Sequence, residues 1–103
     1  MSETSFCVPV DHPAACGHFP GNPIIPGAVL LSAALQAIEV ATNRQLLTRG
    51  IKSAKFFRPV RPGDTVAVEY SQPNAEEIRF SGSVDGKIVL MGHIQCHFEP
   101  QGA

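Results

Sequence analysis

Between two regions crowded with chain breakers lies one uninterrupted stretch, GAVLLSAALQAIEVATN from Gly27 to Asn43. It is rich in helix formers, has no internal glycine or proline and follows a proline that can open a first turn, so it predicts the single helix of the chain. The stretch is apolar nearly all round, which predicts a helix buried on most sides. Its polar residues form one stripe, because Ser32, Gln36, Glu39 and Asn43 are spaced by four, three and four and fall within an arc of roughly 60°. A chain of 103 residues has length for one domain, spanning 1–103, and for one modest core. Such a helix carries more apolar surface than one small sheet can cover, so at least a dimer is expected.

The flanking regions read differently. Ser5 to Val10 carries β-branched and aromatic side chains and stops at Asp11-His12-Pro13, predicting a first strand and a turn. Ala14 to Gly27 holds three prolines and three glycines, a loop with fixed bends. After the helix, strands are expected at Ile51–Phe57, Thr65–Ser71, Glu77–Val84 and Lys87–Phe98. Asp85-Gly86 suits the positive φ angles of a tight hairpin, so the last two strands should be antiparallel neighbours. One helix and a run of antiparallel strands make an α+β domain with the sheet wrapped around the helix.

A net charge of −1, from eight basic and nine acidic residues, gives no general attraction to nucleic acid. No apolar run reaches the roughly 18 residues of a membrane-spanning helix, and Met1 to Phe6 lacks the features of a signal peptide, so a cytoplasmic protein is expected. Cys7, Cys16 and Cys96 are odd in number and read as free thiols. Zinc is not expected. His12, Cys16 and His18 lack a fourth ligand, and His93 and His97 would share a strand face at about 13 Å. No cofactor is expected either.

The chemistry concentrates in GHFPGNPIIPG, Gly17 to Gly27. It puts an ionisable imidazole, His18, on a constrained loop just before the helix. The first helical turn has unpaired N–H groups, so the Gly27 amide can hold a developing oxyanion, and glycine there admits a close approach. A base and an oxyanion donor together suit proton removal beside a thioester carbonyl. The plainer role of His18 is a hydrogen bond that braces the loop. For Cys16, a buried inert thiol stands against an acyl nucleophile activated by His18.

HFPGNPIIPG resembles the signature of the β-hydroxyacyl-[acyl-carrier-protein] dehydratases, and KFFRPVRPGD, Lys55 to Asp64, resembles their KFRRPVxPGD segment. Val10, Pro13, Gly17 and Gln36 also match, and the likeness spans roughly Val10 to Cys96. The resemblance implies a hot dog fold in which two subunits pair their sheets edge to edge and build active sites between them. His18 would exchange the proton at C2 of a 3-hydroxyacyl thioester, the Gly27 amide would bind the thioester oxygen, and Phe19, Pro26, Ala28 and Gln36 would contact substrate. The family's general acid, a carboxylate from the facing subunit, falls fourteen positions after the histidine. This chain has Ser32 there. A serine hydroxyl is too weak an acid to replace it but can hold water or the substrate hydroxyl. Glu39 lies about 10 Å further along the helix and reads as structural or interfacial. Asp11 and His12 are weaker candidates, with turn capping the plainer role.

Lys52, Lys55, Arg58 and Arg61 are the basic concentration of the chain. They read either as a solvated strand and turn or as a surface for an acidic acyl carrier protein. The expected activity is reversible dehydration of a 3-hydroxyacyl thioester to a trans-2-enoyl thioester, carried on acyl carrier protein or coenzyme A. The expected assembly is a homodimer, a higher oligomer or a heterodimer with a related subunit. The alternatives are a catalytically weakened subunit that binds acyl carrier protein, and a thioesterase.

Overall fold

The computed structural model describes residues 2–9 and 24–100. Its elements run β1 (Ser2–Cys7), α1 (Gly27–Thr42), β2 (Arg44–Phe56), β3 (Thr65–Asn74), β4 (Glu77–Val84) and β5 (Lys87–Pro100). The five strands form one sheet in the order β1-β3-β4-β5-β2, antiparallel at every pairing. No helix among the described residues is long and apolar enough to cross a membrane.

Leu30, Ala34 and Ile38, four residues apart, form the buried stripe of α1. They belong to one core with Val66 and Val68 of β3, Ile78 and Phe80 of β4, and Leu90, Ile94, Cys96 and Phe98 of β5. The intervening residues Glu69, Arg79, Met91, Gln95 and His97 are exposed. The strands thus alternate, with an inner face under the helix and an outer face away from it.

The helix was expected to be buried on most sides, and within one chain it is not. Ala28, Ser32, Gln36 and Val40 are exposed, Val40 by 78 %. The sheet covers one flank, and nothing else among the described residues covers the rest. At the C-terminus Asn43 takes a left-handed conformation, φ 53°, and its N–H reaches the Glu39 and Val40 carbonyls, which ends the helix one residue before β2.

Four strands differ in extent from the sequence reading, β3 and β5 only by running on to Asn74 and Pro100. β1 begins at Ser2 and ends at Cys7, because its ladder to β3 runs from Ser2↔Tyr70 to Cys7↔Thr65. Val8 then leaves the strand while its N–H and C=O still pair with Asp64 and Gly63. β2 starts at Arg44, well before Ile51, since β5 extends to Pro100 and gives it partners along its whole length. The Arg44 guanidinium lies 4.4 Å from the Phe98 ring centroid, and the Leu46 N–H donates to Glu39 Oε2 at 2.8 Å, tying the strand to the helix. β4 has the predicted limits, and the Asp85-Gly86 hairpin forms with φ of 51° and 79°.

Candidate active site at the start of the helix

α1 begins without a side-chain cap. Pro26 occupies the N-cap position, and no acidic residue stands in the first turn. The Pro26 carbonyl accepts the N–H groups of Val29 and Leu30, at 3.0 and 3.1 Å. The Gly27 and Ala28 amides have no acceptor among the described residues, so two donors with the partial positive charge of a helix terminus point out of the turn. The Phe56 ring lies against Gly27 so closely that a Cβ would sit 2.9 Å from Cζ. A larger residue here would displace the tip of the half-exposed Phe56 ring.

Gly27 opens into a hollow of about 420 Å³ lined by Ile24, Ile25, Leu30, Phe56, Phe57, Arg58 and Pro59. A second apolar groove of about 380 Å³ runs between β1 and α1, and its lining includes Phe6, Val8, Val29, Ala33, Gln36 and Val40. Ile25 and Leu30 border both and separate them.

The expected site residues distribute as follows. His18 and Phe19 lie outside the described residues, as do Asp11, His12 and Cys16. Gly27 and Ala28 stand together in the first turn beside Pro26. Gln36 lines the second groove, about 13 Å along the axis from Gly27. Ser32 is exposed on the side of the helix away from the sheet. Glu39, the one carboxylate of α1, is occupied with the Leu46 N–H.

The four basic residues spread over different surroundings. Lys52 pairs with Glu77. Lys55 lines a hollow of about 510 Å³ on the outer face of the sheet with Met91 and His93. Arg58 borders the helix-start hollow, and the Arg61 N–H donates to Asp64 Oδ2 at 2.9 Å in the β2–β3 turn.

A polar cluster on the outer face was not anticipated. Glu77 sits between Lys52 and His93, whose Nε2 lies 2.8 Å from Glu77 Oε2. Hydrogen bonds from Lys52 and then His93 lower the Glu77 pKa from its usual 4.5 to about 2. This arrangement employs His93, while Cys96 points into the core and His97 lies exposed at 4.0 Å from Glu99, so these three side chains do not converge. Burial raises the Cys96 thiol pKa, which keeps it an inert core residue. The approach of Phe56 to Gly27 is likewise not visible in the sequence, since an aromatic in a strand gives no hint that it will lie against a glycine far along the chain.

A family model described as ApeI dehydratase, ApeI-like, matches residues 2–93. The 3-hydroxyacyl-[acyl-carrier-protein] dehydratase FabZ of Thermomicrobium roseum is 35 % identical over 98 residues, covering 84 % of this chain and 66 % of its own. The chain spans about two thirds of the length of such curated relatives. Among solved structures, the dehydratase heterocomplex ApeI:P from Xenorhabdus doucetiae superposes with a TM-score of 0.78 at 19 % identity, over 92 % of this chain and 85 % of that one. The fluoroacetyl-CoA-specific thioesterase FlK gives 0.73 at 15 % identity, over 95 % and 88 %. At these identities the structural likeness establishes the fold, which is the hot dog fold.

Proposed function

The chain belongs to the ApeI-like dehydratase family, and from that membership we propose that it reversibly dehydrates a 3-hydroxyacyl thioester to a trans-2-enoyl thioester. The observation that carries the reading is the uncapped first turn of α1, where the Gly27 and Ala28 amides face outward without an acceptor among the described residues beside an apolar hollow. In the elimination, His18 takes the proton from C2. The electron pair moves into the thioester carbonyl, whose oxygen gains charge and is held by the Gly27 N–H. The C2–C3 double bond then forms as the C3–O bond breaks, and the hydroxyl leaves as water once it receives a proton. The apolar hollow at Ile24, Ile25, Leu30 and Phe56 takes the part of the acyl group next to the thioester.

The final proton needs an acid. Ser32 stands where the family's carboxylate is expected, and Glu39 is tied to the Leu46 amide. This favours a second reading in which the chain is one subunit of a heterodimer and a related partner supplies the carboxylate. A precedent for a heteromeric assembly is the ApeI:P heterocomplex. Thioester hydrolysis is the third reading, suggested by the FlK likeness.

Product analysis separates these. Incubation with a trans-2-enoyl thioester and with a saturated acyl thioester should give the 3-hydroxyacyl product from the first and no free thiol from the second. Release of thiol from both, with no hydration, would overturn the dehydratase reading in favour of hydrolysis.

A further inference from the structure

The outer-face hollow of about 510 Å³ lies on the sheet face turned away from α1 and has no part in the proposed reaction. Strand register builds its floor. Ser53, His93, Arg79 and Ser71 stand side by side across β2, β5, β4 and β3. Lys55, Met91, Ser81 and Glu69 form the next row, about 7 Å along the strands. Residues directly opposite one another share a face, and the serines are short where their neighbours are long, which leaves a trough. Two of its cations have no partner. Lys52 and His93 are engaged by Glu77, whereas Lys55 and Arg79 line the hollow and form no ion pair among the described residues. Glu69, the one carboxylate of the lining, is a diagonal neighbour of Arg79 and does not pair with it. Met91 and Phe57 border the same hollow and are 45 % and 53 % exposed.

We propose that this hollow binds a phosphate monoester of nucleotide size, with its phosphate drawn to Arg79 and Lys55, its hydroxyls to the serines, and its ring against Met91 and Phe57. Each part follows from the chemistry of the lining. A guanidinium and an ammonium without carboxylate partners suit a phosphate group. The hydroxyls of Ser53, Ser71 and Ser81 both donate and accept, as a sugar requires. A thioether and an aromatic side chain offer a flat ring an apolar contact. The volume lies in the range of sites that enclose a small organic ligand and exceeds what an inorganic ion fills. The site does not depend on the dehydratase reading, because Phe57 alone is shared with the hollow that contains Gly27.

The test titrates the full chain with AMP, adenosine and inorganic phosphate in a calorimeter and follows hydration of an enoyl group carried on N-acetylcysteamine, a substrate without phosphate. Wild type should bind AMP roughly tenfold or more tightly than adenosine or phosphate, because both halves of the ligand contribute. Arg79→Gln should weaken AMP roughly tenfold and leave adenosine unchanged, while Arg79→Lys should retain part of the AMP affinity. Ser81→Leu fills the trough and should abolish binding of AMP and adenosine alike. Arg79 is exposed, so its variants should fold and hydrate the thioester as wild type does. No AMP binding by wild type, equal affinity for AMP and phosphate, or AMP affinity unchanged in Arg79→Gln would overturn the site. If AMP binds in the expected pattern and the thioester is not hydrated, the dehydratase reading fails and the phosphate-ester site stands.

Discussion

Ser32 occupies an exposed position on α1 in the chain's own frame, so a longer side chain there would project away from the core and would cost little packing. A positioned general acid is typically worth about 10²- to 10⁴-fold in rate. If the protein works as a homodimer, Ser32→Glu should raise hydration of an enoyl thioester by roughly tenfold or more, checked with unchanged folding and association. If a related subunit supplies the carboxylate, the isolated chain should be nearly inactive, and adding that subunit should restore the rate without mutation. Brisk wild-type hydration that Ser32→Glu does not improve would point to Asp11 or His12 as the acid. At this scale the helix start at Gly27 was legible because it is local, a proline followed at once by an unbroken run of helix formers, whereas His18 falls outside the described residues. The contact of Phe56 with Gly27 was not legible, since it is made by packing between distant segments.

Among the elements, the Asp85-Gly86 turn and the helix announced themselves because one needs two positive φ angles and the other an unbroken run of helix formers. β2 did not. It is an edge strand in which Leu46 alone is buried, so it lacks the alternation that marks a half-covered strand. Its length is dictated by the backbone of β5. The Lys52–Glu77–His93 cluster was hidden for a related reason. Glu77 pairs with Gln95 while Arg79 pairs with His93, and the irregularities in β2 and at Gly82/Ser83 shift the registers that bring the three side chains together. Since the folded-state pKa of Glu77 lies at about 2, below its usual 4.5, its contribution to stability is present above pH 4.5 and is lost as pH falls from there through about 2. Glu77→Gln should remove that dependence. Thermal unfolding at pH 7 and pH 3 is expected to show a smaller drop in Tm for the variant than for wild type, and an equal drop would contradict the role given to the cluster.

For the whole molecule, the open edge of β2 is the feature that one chain leaves unfinished. It offers 13 residues of strand with no neighbour among the described residues beyond β5, and Leu47, Ile51 and Phe56 are exposed along it. Ile51 pairs with buried Ile94 and therefore faces the helix side, where a second helix would cover it. An exposed apolar edge of this length is a pairing surface, and we propose that a second subunit pairs there, with the two sheets continuous. Ile51→Lys should shift the protein toward monomer in sedimentation velocity and, under the proposal that each site draws on both subunits, lower hydration with it. A monomeric wild type with full activity would remove the shared-site arrangement. We propose that His18 removes a proton beside a thioester whose oxygen Gly27 holds. This is tested most directly by hydration of a trans-2-enoyl thioester by wild type and by His18→Ala, with any required partner subunit present and folding and association confirmed. Wild type should give 3-hydroxyacyl product and the variant should lose about 10²-fold or more; equal turnover by the two proteins would rule out His18 as the base.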